Sequence, residues 1–525
     1  MHLNPITKTD YPDPDVIRVD DTYYMISTTM YYMPGGVILK SYDLVNWEIE
    51  TYLFDMLDGT ASERLEGDDS NYGKGMWAAC LRYHDGKYYV AFVSHGRKDT
   101  HLLVSDNIKG PWEHRLINEY FHDCSILFDD DGRVFIVSGN TEIRLTELEP
   151  DLSRVKEGGI DKIIIRDNRE AVNLGYEGAH FYKINGKYYI TLIHWPKYNS
   201  RRTEAVFVCD TVDGEYVGKD VIWDDMGYHN NGVAQGGLVD TPDGKWYAIL
   251  FQDSGAVGRV PVLVPVVWKD ELSESYSKMI KNDGCGGAIP IYGEGGMVPF
   301  NPRVKSTKPD YVYEPLFTSD DFSSQKIKKQ WQWNHVPNEE LWKIENNSLK
   351  IKTGKICVNP VWAQNTLTQR MMQPGCQATV TVDATGLKNG DTAGLIALEG
   401  CYGMLGIRKE EDRYFIVKLV RTKIEQPYQI GYPDREPGEL LYKEEIDGPV
   451  VTLRLRADFN DMKDLLDFYV LKDGQWMQIG DSHQMRFGLD HFTGARFGLC
   501  VYSEQETGGE GSFADFVYEL YYSED

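Results

Sequence analysis

The chain has 525 residues, 42% hydrophobic and 26% charged, which fits a folded globular protein with two or more cores. Its 55 Lys+Arg against 81 Asp+Glu leave a net charge of −26, a surface that repels phosphate backbones and anionic lipid. Nucleic-acid and membrane partners are therefore not expected, whereas a neutral oligosaccharide meets no such barrier. No run of about 18 apolar residues is present, and Met1-His2-Leu3-Asn4-Pro5 has neither a basic nor an apolar leader segment, so a cytoplasmic location is expected. Eight cysteines without CxxC spacing read as reduced thiols rather than as a zinc site or a disulfide framework.

In chain order, one unit recurs: a hydrophobic strand, a tight polar turn, and a strand rich in Tyr, Val and Ile. It spans Asp15–Thr28, Cys80–Ser94, Ser125–Gly139, His180–Trp195 and Gly237–Phe251. Asp85-Gly86, Asp131-Gly132, Asn185-Gly186 and Asp243-Gly244 are strong hairpin signals, because the favoured two-residue turn needs positive φ at both central positions. Further strand-like segments follow each hairpin. Two units share a closing signature, Ser41-Tyr42-Asp43-Leu44-Val45-Asn46-Trp47 and Ser105-Asp106…Gly110-Pro111-Trp112. Hairpin plus two strands, five times over, predicts a five-bladed β-propeller.

The repeat register points to the chemistry. The residue 11 positions before the pairs Tyr88-Tyr89, Val134-Phe135, Tyr188-Tyr189 and Trp246-Tyr247 is Trp77, Asp123, Glu177 and Gln235; in the shorter first turn, 10 positions before Tyr23-Tyr24, it is Asp13. The first strand of each blade lines the channel, so these five positions are predicted to converge at one end. Singly, Asp13 between two prolines reads as a turn acid, Asp123 as a strand-end acid and Trp77 as core; their common register sets them apart. Arg259, otherwise a surface ion-pair residue, could bind sugar hydroxyls and hold an acid ionised. Crowded carboxylates raise the pKa of at least one of them, and glycoside hydrolysis needs one proton donor and one base.

With these residues in place, the chain resembles glycoside hydrolase family 43. The resemblance is carried by Asn4-Pro5, Tyr11-Pro12-Asp13-Pro14-Asp15, Pro34-Gly35, Asp43-Leu44-Val45-Asn46-Trp47, Trp77-Ala78, Leu81-Arg82-Tyr83, Asp123, Glu177-Gly178-Ala179-His180, Gln252-Asp253 and Gly258-Arg259. It implies Asp13 as general base, Asp123 as the residue that tunes the acid and Glu177 as general acid; Trp77 and Gln235 by their register, and Arg259 by its donors, are the candidate substrate-binding residues. Inversion is implied too, with the two carboxyls roughly 6.5–9.5 Å apart. Two departures stand out: Trp77 is followed by Ala78-Ala79 where many relatives carry Ala-Pro, and Asn231–Gly236 replaces a fifth-blade His that often holds calcium, leaving Gln235 or His229 to substitute. No cofactor is required, and calcium is the only candidate.

From Glu271 to about Pro309 the chain is rich in Gly and Ser (Cys285-Gly286-Gly287, Gly293-Glu294-Gly295-Gly296) and reads as a connector over the propeller. Residues 1–305 form the first domain on this reading and 306–525 the second. Short alternating strands such as Ala378–Val382, Phe415–Leu419 and Phe513–Leu520 predict a β-sandwich. Trp331-Gln332-Trp333-Asn334-His335 resembles the start of the lectin-like sandwich of longer family 43 exo-enzymes, where it closes one side of the pocket. The expected activity is exo-release of terminal pentose from arabino- or xylo-oligosaccharides, leaning to α-L-arabinofuranosidase, with β-D-xylosidase or both as the alternative. A homo-oligomer is compatible with the resemblance. The rival from another class is a sugar-binding propeller without catalysis.

Overall fold

The computed structural model describes residues 2–268 and 289–521; residues 271–288 of the connector, with Cys285-Gly286-Gly287 among them, lie outside the described residues. Among those described, strands dominate. Five four-stranded antiparallel sheets form the blades. The first is Asp15–Val19, Thr22–Ser27, Gly35–Ser41 and Glu48–Phe54, and the second Met76–His84, Lys87–Ser94, Thr100–Ser105 and Glu113–Ile117. The third is Ser125–Phe128, Val134–Ser138, Glu142–Leu148 and Asp161–Arg166. The fourth is Val172–Ile184, Lys187–Pro196, Thr203–Cys209 and Val217–Ile222. The fifth is Val233–Asp240, Trp246–Asp253, Arg259–Val267 and Ile291–Tyr292.

Local chemistry explains the hairpins, with one refinement. Asp85-Gly86 and Asn185-Gly186 both take positive φ, as a two-residue turn requires. At Asp131-Gly132 and Asp243-Gly244 only the glycine does. There Asp129 N–H reaches the Arg133 carbonyl and Thr241 N–H that of Lys245, so these turns are longer and the left-handed residue falls only at their end. The closing signature is a side-chain-capped turn: Ser41 Oγ accepts from Leu44 N–H (2.9 Å), Asp43 Oδ1 from Asn46 N–H (2.7 Å), and the Trp47 indole donates to the Leu44 carbonyl (3.1 Å).

Apolar residues of neighbouring blades interdigitate. Tyr23, Val37, Leu39 and Trp47 of the first blade pack with Val239, Ile249 and Leu263 of the fifth. The ring is closed by the chain start, where Ile6 and Tyr11 N–H groups bond to the Pro261 and Arg259 carbonyls. The Asn4 side chain bonds the Leu263 carbonyl (2.8 Å) and accepts from Leu263 N–H (2.9 Å).

Two large antiparallel sheets make the second domain, a concanavalin A-like sandwich around Leu349, Val380, Leu395, Leu453, Phe497 and Phe513. One of its strands comes from the propeller: Tyr32–Met33 pairs with Gln332–Asn334, Trp333 opposite Met33. Gln332 Oε1 then accepts from Arg370 (2.8 Å) and Arg496 (3.0 Å), both buried, and the Arg496 guanidinium lies 3.6 Å from the Tyr32 ring centre. The two domains thus share one sheet. The seven described cysteines are all unpaired.

Candidate active site

At the predicted register the blades depart from regular strand geometry. Asp13, Asp123 and Gln235 adopt left-handed φ of 51°, 47° and 59°, and strand pairing shifts between Met76 and Ala79, between Leu174 and His180, and between Ala234 and Gly236. Trp77, Glu177 and Gln235 sit within these bulges. A bulge re-aims a side chain out of the alternating pattern, and non-glycine residues in the left-handed region persist only where the surroundings hold them. A residue lying flat in a ladder would face a neighbouring blade; these face the channel mouth.

Asp13 is 5% exposed. Its Oδ1 accepts from Arg259 Nη1 (2.6 Å) and its Oδ2 from the Thr28 hydroxyl (2.8 Å). Burial pushes its carboxyl above the usual range, with Arg259 and Thr28 opposing. The Nε and Nη2 atoms of Arg259 are buried and have no protein partner, leaving donors for a ligand hydroxyl. Burial also drives Asp123 up to about 7; Glu177 and Asp13 add to this and His122 opposes it. Glu177 Oε2 accepts from Asn140 Nδ2 and lies 3.6 Å from His122 Nε2, while His122 Nδ1 is 3.8 Å from Asp123 Oδ1. Facing Asp123 first and Glu177 second, His122 is raised to about 9 despite its burial. Tyr176 stacks on His194 (4.4 Å), whose two ring nitrogens are each 3.0 Å from the carboxylates of Asp167 and Asp220. The bulge that carries Glu177 therefore rests on a tethered aromatic.

Below the acids the channel is filled. Asp15, fully buried, accepts from Arg82 Nη1 (2.6 Å), Leu81 N–H (2.7 Å) and Val16 N–H (3.1 Å), and His180 Nδ1 is 3.0 Å away. Arg82 also donates to the Ile126 carbonyl (2.9 Å) and to Ser125 Oγ (2.5 Å) and lies over the Tyr182 ring, whose hydroxyl accepts from Leu238 N–H (2.8 Å). One connected network ties all five blades at the axis.

The sandwich contributes one wall. Phe492, at φ 58°, lies 5.7 Å from the Trp77 ring and 4.6 Å from the Arg259 guanidinium. Its loop is fastened by Asp10, which accepts Arg259 N–H (2.8 Å) and Gly494 N–H (2.9 Å). A Cβ at Gly494 would stand 1.8 Å from the Val257 carbonyl oxygen, so only glycine permits this approach. Phe492→Ala should raise KM for a short substrate about tenfold with kcat little changed, the loss of roughly one aromatic contact. Steady-state kinetics checks this, and an unchanged KM would remove Phe492 from the site.

Asp13, Trp77, Asp123, Glu177, Gln235 and Arg259 all converge. Gln235 is the lateral support: its side chain covers Gly178, where an added Cβ would stand 2.6 Å from it. His229 does not join them. It is 2.7 Å from Asp461 of the sandwich and fastens the domains instead, which corrects the expectation that it could stand in for a channel His. His122, Asp123 and Glu177 bring one ring nitrogen and two carboxylates within 4.8 Å of one another, whereas calcium takes six to eight oxygens; at the axis Arg82 already neutralises Asp15. His95, its ring tilted against Trp77 at 4.1 Å, and Asn140, His122 and Phe492 escaped the sequence reading. Their contacts are between segments that no repeat register links; only His122, adjacent to Asp123, stood beside a signal.

This arrangement of acids on a propeller with a lectin-like partner domain defines a glycoside hydrolase. The pattern of Glycosyl hydrolases family 43 matches residues 2–272, and that of the beta-xylosidase C-terminal concanavalin A-like domain matches residues 319–519. The chain belongs to glycoside hydrolase family 43. It is 29% identical over 468 residues to a beta-xylosidase of Formosa agariphila, covering 78% of this chain and 75% of that one. A non-reducing end alpha-L-arabinofuranosidase of Bacteroides ovatus is 26% identical, covering 66% of this chain and 64% of its own length. The solved structure of a bifunctional GH43-CE protein of Bacteroides eggerthii superposes with TM-score 0.87 at 36% identity, covering 99% of this chain and 64% of that longer one.

Proposed function

We propose that the protein is an inverting, exo-acting hydrolase that releases a terminal pentose from neutral arabino- or xylo-oligosaccharides, α-L-arabinofuranosides first. The observation that carries the reading is the division of labour among the acids. Asp13 is paired with a buried arginine and suits a base that must be ionised, whereas Glu177 stands in a crowded group with His122 and Asp123, their ligand atoms within 4.8 Å of one another. Asp13 would activate water, Glu177 would protonate the departing oxygen, and Asp123 would tune Glu177. Phe492 and Trp77 close one side, which supports removal of single end sugars. A β-D-xylosidase reading is favoured by the Formosa agariphila relative's name. A structure similar at 26% identity and TM-score 0.83 concerns a family 43 enzyme whose engineered site displays both endo-xylanase and exo-arabinofuranosidase activity.

The test is hydrolysis of 4-nitrophenyl α-L-arabinofuranoside, 4-nitrophenyl β-D-xyloside, arabinobiose and xylobiose, with the product anomer followed by NMR. Release of one inverted pentose confirms the reading and names the sugar. Binding without turnover across the panel would leave a sugar-binding propeller in its place.

A further inference from the structure

The reading above leaves one group at the mouth unused. His122 sits between two carboxylates, its Nδ1 3.8 Å from Asp123 Oδ1 and its Nε2 3.6 Å from Glu177 Oε2. Both separations are ion-pair contacts rather than hydrogen bonds, and a ring held between two carboxylates is attracted to both at once as an imidazolium. Its main-chain carbonyl is pinned by Gly139 N–H (2.9 Å), and its ring lies parallel to Tyr120 at 6.5 Å. Glu177 Oε2 is also the acceptor for Asn140 Nδ2. One hydrogen-bond donor and one imidazole ring therefore converge on one oxygen of Glu177.

An oxygen that accepts from Asn140 and faces an imidazolium is the disfavoured seat for the carboxyl hydrogen. The hydrogen of a protonated Glu177 then belongs on Oε1. We propose that His122 is a positioning residue of the acid half of the site: bridging Asp123 and Glu177, it acts with Asn140 to keep Oε2 an acceptor, so that the transferable proton is held on Oε1. The inference rests on the hydrolase reading above. In the reaction, the Oε1–H bond breaks as the proton passes to the glycosidic oxygen, the glycosidic bond breaks, and Glu177 is left as a carboxylate beside a cation already in place. His122 thereby stabilises the charge that Glu177 acquires.

The other titratable groups around the pair are Asp123 on its own segment, Tyr176 next to Glu177, His95 from the second blade and Asp13 from the first. The acids oppose loss of the proton from His122. Burial lowers the pKa of His95, and the neighbouring His122 and Lys74 lower it further. Removing the His122 cation takes away the positive charge that faces the carboxylate Glu177 becomes. Asp13, paired with Arg259, is left as it was.

The test is the pH dependence of kcat/KM for wild type, His122→Gln and His122→Phe, each first shown folded by circular dichroism and thermal melting. The alkaline limb should move up by about one pH unit in both variants while the acid limb stays. Loss of turnover should be about tenfold or more on an unactivated disaccharide and much smaller on a 4-nitrophenyl glycoside, whose leaving group needs little protonation. An unmoved alkaline limb, or equal losses on both kinds of substrate, overturns the proposal. A second measurement is independent of turnover: NMR titration of 15N-labelled histidine. The His122 ring should stay protonated well above pH 7 and titrate lower in Glu177→Gln and in Asp123→Asn. Titration of wild-type His122 in the ordinary histidine range also overturns it. A wild type inactive on the whole panel, with His122 titrating high, would defeat the proposed activity and leave the bridge standing.

Discussion

Glu177→Gln should lower turnover of arabino- or xylo-oligosaccharides by about 10²–10⁴-fold, the usual contribution of a positioned proton donor. Gln keeps the shape of the side chain and can still accept from Asn140, so the fold and ligand binding should survive. The loss should shrink on substrates with acidic leaving groups, because those depart without protonation. Asp13→Asn should cost a similar factor whatever the leaving group, since water activation is needed in every case. Asn preserves an oxygen for Arg259, which would otherwise be left buried and unpaired. The contrast between the two variants, measured by kcat on an oligosaccharide and on a nitrophenyl glycoside, assigns the roles; identical leaving-group dependence would deny them. On the proposed roles, the acid limb should belong to Asp13. Activity requires its ionised form and is lost as pH falls through its pKa, which burial has raised. Arg259→Met removes the opposing charge and should move that limb higher still.

The second large effect is on stability. Asp15→Ala should destabilise the propeller by about 3–5 kcal/mol, because it strands the buried Arg82 guanidinium among groups that cannot replace its partner. Thermal unfolding reads this directly, and a change below about 1 kcal/mol would show that the network is not holding the blades together. The sign with pH follows from the carboxyl itself. Burial alone would raise its pKa, but Arg82 and His180 more than offset this and bring it from 3.8 to about 2 in the folded state. Its contribution is therefore complete above the unfolded value and disappears as pH falls toward 2; it amounts to roughly 2 kcal/mol. Asp15→Ala should accordingly lose the part of the acid sensitivity that falls between about pH 4 and pH 2.

The propeller was legible because its hairpins are local: a turn dipeptide between two apolar strands signals itself within 15 residues. Counting from those turns located Asp13, Asp123 and Glu177, and the structure shows why the count works. Each blade places a bulge or a left-handed residue near the start of its first strand, 10 or 11 positions before the pair that follows the turn. Asp15 was visible as a letter in Tyr11-Pro12-Asp13-Pro14-Asp15 but not as a keystone. Its partners come from the second and fourth blades, and period-two alternation says only that it shares a face with Asp13. Phe492 was illegible for the same reason: it reaches the site from the far end of the chain. His229 misled because nearness in sequence to Gln235 says nothing about which end of a strand a loop residue occupies.

The shared strand at Tyr32–Met33 has a consequence for how the polypeptide is made. Gln332, which bonds the Pro34 carbonyl, lies 298 positions downstream, and at ordinary synthesis rates that gap takes roughly 15–60 s to translate. During that interval Tyr31, Tyr32 and Tyr72, all buried in the finished molecule, have no sandwich to cover them. A gene cut after the fifth blade would release a nascent propeller frozen in that interval, with an unpaired two-residue edge and a bare aromatic face. Such fragments associate through exactly the surfaces they lack a partner for. The domain border is thus a poor place to split the gene, and shuffling this propeller onto other sandwiches would have to carry Gln332–Asn334 along with it.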